Sequence, residues 1–222
     1  MKKWMALWVV VGLLIPAAAG AQQERIGLAV KIGVNHANMI VRNKETHQRL
    51  NTRPRNNPYF AAELEYQFAK LFSYIAGLSY LQQGYAVRIS NPDYPYTYFR
   101  DFKYLGIIQK ARITFHLSFF DLFTSIGVSG EALLSAHYQR NYDRNAKPSY
   151  SIDIKERYNS GMLIPEWDFG FGIPFGNWRI SAEATYVIGG DDIAKPELVN
   201  LHTHTHKIHD SRYYLGLTYY LP

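Results

Sequence analysis

The 222-residue chain contains no cysteine. It can therefore form no disulfide bond in an oxidising compartment, and its stability must come from secondary structure and packing. Beyond residue 21, no apolar run approaches the roughly 18 residues of a membrane-spanning helix. If that part of the chain enters a membrane, it must do so as β-strands, because only helices and closed barrels satisfy the backbone hydrogen bonds in lipid.

Net charge is also low. Lys and Arg number 24 against 18 Asp and Glu, which gives a formal net charge of +6, and two of these positive charges belong to Lys2 and Lys3. So small an excess does not indicate nucleic acid as a partner. The sequence has neither a dinucleotide-binding glycine fingerprint nor a P-loop, and we predict no cofactor.

The first 21 residues have the pattern of a secretory signal peptide. Lys2 and Lys3 form the charged start, an apolar run extends from Trp4 to Ile15, and Ala19-Gly20-Ala21 is a small-x-small cleavage site. We expect removal of residues 1–21 and export of a single domain of residues 22–222. The alternative is an uncleaved anchor helix, for which the apolar run is short against the roughly 20 residues required.

Aromatic residues, in contrast, are abundant, at 15% of the chain with 18 tyrosines. Many lie in segments of strict alternation, which is clearest between Leu163 and Ile188. There Trp167 and other apolar residues occupy alternate positions, while Glu166 and other polar residues or glycines fill the positions between them. The pattern predicts two strands, each with one apolar face and each about eleven residues long, enough to cross a bilayer at a tilt.

The same alternation recurs in eight segments. The predicted strands are residues 26–34, 59–68, 72–89, 102–115, 122–138, 163–173, 178–188 and 212–221. Links after the second, fourth and sixth strands are short, whereas the other loops are long. We predict an all-β fold, an eight-stranded antiparallel up-and-down transmembrane β-barrel with short periplasmic turns and long external loops.

Along the apolar stretches of these strands one face carries no charged residue, and the other face carries eleven. The charges predicted to face the lumen are Lys31, Glu63, Glu65, Lys110, Arg112, Glu131, Glu166, Asp168, Arg179, Glu183 and Arg212. Because a Lys or Arg facing mid-bilayer lipid costs ~2–4 kcal/mol, the uncharged face is assigned to lipid. Five cations and six anions can then pair as an ionic network in a narrow polar lumen, which eight strands leave just filled by side chains.

Alternation by itself leaves a second orientation open. A soluble lipocalin-like binding barrel in the periplasm would turn the aromatic face into the core and the charges toward solvent. Strand length, the signal peptide and the aromatic strand ends favour the outer membrane instead.

Three short motifs resemble a known family. Lys31-Ile32-Gly33-Val34-Asn35 resembles its Lys-x-Gly-x-Asn opening, and Tyr80-Leu81-Gln82-Gln83-Gly84-Tyr85 resembles its Tyr-x-Gln-x-Gly segment. Tyr104-Leu105-Gly106-Ile107-Ile108 is similar to Tyr-Leu-Glu-Ile-Pro, with Gly106 for the acid and Ile108 for the proline. The family is the PorT-like outer-membrane β-barrel family, with OmpA/OmpX-like eight-stranded barrels. The resemblance covers essentially the whole chain after the signal peptide. It implies this fold and, for the name-giving member, a link to a protein-secretion apparatus.

A histidine cluster is the candidate metal site. His202, His204 and His206 alternate, so in an extended segment their imidazoles would lie on one side, ~7 Å apart, where they could hold zinc, copper or nickel. The alternative is a polar, solvent-exposed loop that leads into the last strand.

Glu131, Ser135 and His137 raise the alternative of a lipid-modifying barrel enzyme, since a serine, a histidine and an acid share one predicted face of the fifth strand. That face is the lumen, whereas a lipid would approach from outside. Ser135 and His137 would also be ~7 Å apart along the strand, beyond direct hydrogen bonding. We predict no catalytic residue and no enzyme activity.

The first external loop is basic, and its cations are Arg42, Lys44, Arg49, Arg53 and Arg55. Arginine donates bidentate hydrogen bonds to phosphate, which makes outer-membrane lipid or lipopolysaccharide one candidate partner. The alternative is a solvated loop without a partner. Other envelope proteins are a second candidate partner, through the external loops. The predicted role is therefore structural or interactive, with an accessory subunit of a secretion apparatus as the alternative.

Overall fold

A computed structural model of the chain describes residues 24–43, 51–89, 95–142, 148–188, 193 and 204–222, and most of these lie in strands. Eight long strands are β1 (Arg25–Asn43), β2 (Arg53–Gln67), β3 (Phe72–Ile89), β4 (Tyr96–His116), β5 (Asp121–Tyr142), β7 (Gly161–Phe175), β8 (Trp178–Val187) and β9 (His204–Tyr220). A short strand, β6 (Tyr150–Asp153), and a 3₁₀ turn (Lys155–Arg157) lie between β5 and β7. Within the described residues, no helix is long and apolar enough to cross a membrane.

The eight long strands close into a barrel. Their order is β4-β3-β2-β1-β9-β8-β7-β5, every neighbouring pair is antiparallel, and β4 pairs with β5 to complete the ring. Closure removes the unpaired edges that an open sheet would expose. The predicted fold class is confirmed. β6 is an addition, which pairs with β5 at positions 137–140, beyond the point where β7 begins.

The two ends of the barrel differ. Short links at 68–71, 117–120 and 176–177 share one end with the start of β1 and the end of β9. Gly176 in the tightest of these links has φ +59, a backbone conformation that favours glycine. In outer-membrane barrels short turns face the periplasm, so the opposite end, here called the outer end, faces the exterior.

The strands extend further toward the outer end than alternation predicted. Strand residues outside the predicted segments include 35–43, 53–58, 96–101, 139–142, 150–153 and 204–211. The β1–β9 pairing continues without a break to Asn43 and His204. Beyond the apolar band neither face of a strand has to be apolar. The backbone pairing therefore continues where the alternation of apolar and polar residues has ended.

The apolar face points outward. Val30, Ile126 and Leu215 are 61%, 63% and 61% exposed, whereas the eleven charges listed above are all buried inside. The soluble, lipocalin-like orientation is therefore wrong, because it would need these apolar residues in the core. Among the described outward positions, Lys103 of β4 carries a charge, and it marks the outer edge of the apolar band beside Leu105.

A β-bulge at Leu134 breaks the alternation of β5. Lys103 pairs with Ser135, but the next residue of β4, Tyr104, pairs with Leu133, which leaves Leu134 as the extra residue. After the bulge Ala136 is buried and His137 is exposed, so the inward phase has moved by one position.

The interior has two layers. The ionic layer fills the barrel on the periplasmic side and through its middle. Toward the outer end lies an apolar and aromatic layer made of Val41, Tyr59, Ala61, Leu81, Tyr85, Val87, Phe102, Tyr104, Ile108, Leu133, Ala136, Ile154, Tyr158, Ile193 and Tyr214. The prediction of a polar lumen was wrong for this half, where Ile154, Tyr158 and Ile193 pack with the apolar strand residues.

Candidate functional site

Each of the eleven charged residues in the lumen is buried and takes part in at least one ion pair with another of them. Here they are called the lumen network. The pairs form two chains, one of three cations and three anions and one of two cations and three anions.

The first chain runs across β1, β2, β4 and β8. Lys31 Nζ lies 2.7 Å from Glu63 Oε2 and 2.9 Å from Glu183 Oε2. The same Glu183 oxygen accepts from Arg112 Nη2 at 2.8 Å. Glu65 Oε2 then accepts from Arg112 at 3.4 Å and from Arg179 at 2.5 Å, which ends a continuous row of alternating charges.

The second chain links β4, β5, β7 and β9. Lys110 Nζ lies 2.8 Å from Asp168 Oδ2 and 2.9 Å from Glu166 Oε2. Arg212 bridges Glu166 at 2.5 Å and Glu131 at 2.9 Å. Thr185 Oγ1 also donates to Asp168 Oδ1 at 2.7 Å.

Two-residue spacing places these charges, because residues i and i+2 of a strand share a face. Glu63 and Glu65 occupy neighbouring inward positions of β2 in this way. Glycines opposite the long side chains leave room for them. An ideal Cβ at Gly127 would lie 2.6 Å from Lys110 Cγ, and one at Gly216 would lie 2.6 Å from Ser181 Oγ.

Burial makes this pairing obligatory. A buried charge without a partner is strongly destabilising, whereas a satisfied pair roughly balances its desolvation cost. The network and the apolar layer above it fill the lumen with side chains, as expected for eight strands. Chemically, the arrangement can hold the barrel in one register.

Two of the family-like motifs meet inside the barrel. Asn35 Nδ2 of β1 donates to the backbone carbonyl of Gln82 in β3 at 3.1 Å, and to Asp210 Oδ2 at 3.3 Å. Gly33 is packed so closely that an ideal Cβ would lie 2.1 Å from the Tyr213 carbonyl oxygen. These motif residues thus have structural roles that the fold itself explains.

The most distinctive surface at the outer end is a pocket of about 270 Å³, here called the outer pocket. Its lining residues are Arg100, Tyr138, Arg140, Tyr150, Ile152, Ile154, Arg157 and Tyr158. Sequence reasoning missed it. The available signal was the two-residue spacing Tyr96-x-Tyr98-x-Arg100 and Tyr138-x-Arg140-x-Tyr142, which lacks the aliphatic residues that mark a lipid-facing strand.

Hydrogen bonds to tyrosine orient the arginines of the outer pocket. Arg100 Nη1 donates to Tyr158 Oη at 2.7 Å, and Arg140 Nε donates to Tyr138 Oη at 2.9 Å. The hydrogen bond from Arg140 to Tyr142 is the largest cause that raises the pKa of this arginine, so its guanidinium stays charged at every physiological pH. Burial raises the pKa of Tyr98 beside it, and that phenol stays neutral.

The predicted metal site lies largely outside the described residues. His202 is not described, and only the backbone of His204 and His206 is, where they pair with Asn43 and Val41 of β1. Among the described side chains no group of three metal-ligating residues occurs. The zinc, copper or nickel site therefore stays a prediction.

The bulge at Leu134 separates the serine, histidine and acid of β5. Glu131 is buried and bound to Arg212, whereas His137 is exposed and Ser135 only partly buried. The prediction that all three share the lumen face was wrong, because one extra residue turns Ser135 and His137 away from it.

The basic loop residues divide between paired and exposed positions. Arg55 forms an ion pair with Asp101, while Arg42 and Arg53 are exposed. Partial burial raises the pKa of Asp101, against the opposing effect of Arg55. Lys44 and Arg49 lie outside the described residues.

Comparison with known proteins identifies the family. The outer membrane protein beta-barrel domain family matches residues 20–193. Among solved structures, the outer membrane protein OprG from Pseudomonas aeruginosa is similar, with a TM-score of 0.54 and 13% identity, covering 89% of this chain and 95% of that one. Neisserial surface protein A has a TM-score of 0.50 and 8% identity, covering 89% and 99%. No curated protein sequence matches. The two structures share the fold alone, and by its match to the family over most of its length the chain is an outer-membrane protein that belongs to the outer membrane protein beta-barrel domain family.

Proposed function

We propose that this protein is a non-catalytic small outer-membrane barrel that acts through contacts made at its outer end. The observation that carries the proposal is the complete pairing of the lumen network, in which each of the eleven buried charges has an opposite charge within 3.4 Å. A barrel whose interior is occupied in this way has its free surface for binding at the loops and the mouth.

The filled lumen argues against a channel. A conducting pore of this width would need waters beside the charges, whereas Lys110 and Arg212 are already paired with Asp168, Glu166 and Glu131. The purified protein in a planar lipid bilayer should therefore give no stepwise current. Heat-modifiable migration on a gel checks folding of the same sample. Reproducible single-channel steps from the folded protein would overturn the proposal.

The exposed position of His137 supports the absence of catalysis, because the histidine that would activate Ser135 does not share a face with Glu131. A fluorophosphonate probe should leave the folded protein unlabelled, with Ser135→Ala as the matched control. Labelling of the native chain that disappears in this variant would establish a nucleophilic serine and contradict the proposal.

A role as an accessory subunit of a secretion apparatus is the second proposal, and the resemblance to the PorT-like family supports it. The hydrogen bond from Asn35 to Gln82 joins two of the motifs that carry the resemblance. The third motif differs from the family pattern at Gly106, where the family has an acid, and local packing gives a reason. An ideal Cβ at Gly106 would lie 2.4 Å from Ser79 Oγ, so any larger residue there requires Ser79 to shift.

A pull-down from detergent-solubilised envelope tests this subunit role. If the protein serves secretion, a stoichiometric partner of the export machinery should co-purify with the native chain. The partner should be lost when the exposed outer-end arginines Arg42 and Arg53 are replaced by glutamine. Recovery of the barrel alone after chemical cross-linking in intact cells would contradict the secretion proposal. The outer end would then contact lipid or soluble ligands.

A further inference from the structure

On the inner face of the sheet, at the outer end, arginine and tyrosine residues alternate as cross-strand neighbours. Arg100 of β4 lies opposite Tyr85 of β3 and Tyr138 of β5, and Arg140 of β5 lies opposite Tyr98 of β4 and Tyr150 of β6. Directly paired residues of antiparallel strands share a face, so these side chains form one continuous surface. The tyrosine rings also contact one another, with centroids 5.6 Å apart for Tyr98 and Tyr138 and 6.1 Å apart for Tyr138 and Tyr150.

This surface is cationic without acidic lining. The outer pocket contains three arginines, and among the described residues no Asp or Glu lines it. Arg140 donates to two phenol oxygens, Tyr138 and Tyr142, and its guanidinium lies 4.6 Å from the Tyr96 ring centroid. Neutral phenols and ring faces orient the guanidinium, and no carboxylate of the described residues pairs with it. The arrangement contrasts with the lumen network, where every arginine contacts a carboxylate.

A guanidinium fixed in this manner favours a phosphate group, because its planar fork donates two hydrogen bonds to an oxyanion without further ordering. The neighbouring aromatic faces favour a ring that can lie against them. Tyr150 is 39% exposed and Ile152 is 47% exposed, so both are available to a ligand. The pocket volume of about 270 Å³ falls below the ~300–1,000 Å³ typical of drug-sized ligands, which limits the entering group to about one sugar ring with its substituent.

We propose that the outer pocket binds a phosphorylated sugar, with Arg140 and Arg157 contacting the phosphate and Tyr150 lying against the ring. The inference rests on the proposed function, since it names the chemical class of one partner of the outer end. Its two sources are a free sugar phosphate that arrives from the exterior and the phosphorylated glucosamine of lipopolysaccharide in the same membrane.

Isothermal titration calorimetry of the folded full-length protein in detergent tests the proposal, with glucosamine 1-phosphate as the probe. Glucosamine and inorganic phosphate, titrated separately, report the ring and the anion. We expect glucosamine 1-phosphate to bind at least tenfold more tightly than either fragment. Arg140→Gln should weaken it at least tenfold, and Tyr150→Leu should reduce its advantage over inorganic phosphate.

Arg53→Gln is the matched control, because Arg53 is an exposed arginine at the same end of the barrel but outside the pocket. Heat-modifiable migration verifies that each variant is folded. Equal weakening by Arg53→Gln and Arg140→Gln would mean general charge attraction and would overturn the site. Absence of binding to the native protein, or equal affinity for inorganic phosphate, would overturn it as well.

The two sources are separated by repeating the titration in lipid vesicles with and without lipopolysaccharide. Competition by lipopolysaccharide that Arg140→Gln abolishes identifies the lipid headgroup, and unchanged affinity identifies a free sugar phosphate. Both results support the pocket. The bilayer current and serine-labelling measurements do not depend on Arg140. If the pocket does not bind a phosphorylated sugar, the proposal of a non-catalytic barrel is therefore unaffected. If the protein is a channel or an enzyme, only the current and labelling measurements will show it.

Discussion

Glu183 joins two cations of the lumen network. One of its oxygens receives both Lys31 and Arg112, and Ser181 Oγ donates to the other oxygen at 2.9 Å. A side chain that holds two cations in a low-dielectric interior cannot be removed without leaving charge uncompensated on both of them. The stability of the barrel should therefore depend on this one carboxylate far more than on any exposed acid.

Glu183→Gln should lower the free energy of unfolding by about 3–5 kcal/mol, the usual cost of breaking a buried ion pair from one side. Urea titration of the folded barrel in lipid vesicles measures this cost. Glu156→Gln is the matched control, because Glu156 is exposed in the 3₁₀ turn and its loss should change stability by less than about 0.5 kcal/mol. Adding Lys31→Met to Glu183→Gln should cost less than the sum of the single changes, and strict additivity would contradict the network.

Gly33 is fixed by close packing. Its ideal Cβ would lie 2.4 Å from Tyr214 Cβ as well as 2.1 Å from the Tyr213 carbonyl oxygen, and neither atom can move freely within β9. Gly33→Ala should destabilise the barrel by about 1–3 kcal/mol through overpacking. Gly130→Ala is the control, since the nearest atom would be 3.6 Å away. The same urea titration compares them, and equal effects would show that β1 and β9 are not so tightly apposed.

The strands show which features an alternating pattern can reveal. Within the apolar band, each inward charge and each outward aliphatic residue could be assigned from sequence, because the two faces meet chemically opposite environments. The bulge at Leu134 could not be assigned, since a Leu133-Leu134 pair fits either phase. The extensions of β1, β4 and β9 were missed for a related reason: above the band, residues such as Arg42 and Arg100 lie in paired strands, and no solvent contrast marks their faces.

The absence of native cysteine makes the bulge directly testable. Single variants His137→Cys and Ala136→Cys should respond differently to a membrane-impermeant maleimide added to intact cells, because His137 is exposed beyond the bulge and Ala136 is 0% exposed. We expect rapid labelling at position 137 and none at position 136. The native chain, without cysteine, provides the background. Labelling at 136 but not at 137 would mean that β5 alternates without a bulge.

The barrel as an assembled unit depends on one orientation, with aliphatic and aromatic side chains toward lipid and ionic side chains within. Val30 lies at the centre of the outward band of β1, opposite Leu217 and Ala62, and is 61% exposed. Ile26 faces outward on the same strand but lies at its periplasmic end, and is 39% exposed. The two positions therefore sample different depths of the same membrane.

Arginine substitution at these two positions should show whether the outward face of β1 contacts lipid or water. Val30→Arg should lower the free energy of unfolding in lipid vesicles by about 2–4 kcal/mol, because the guanidinium must enter the middle of the hydrocarbon region. Ile26→Arg should cost only about 0–1 kcal/mol, since its side chain reaches the headgroups. Urea titration of both variants, with the native chain alongside, gives the difference. Equal and small costs would mean that no bilayer surrounds the strands, and the outward apolar face would then have to be covered by another protein surface.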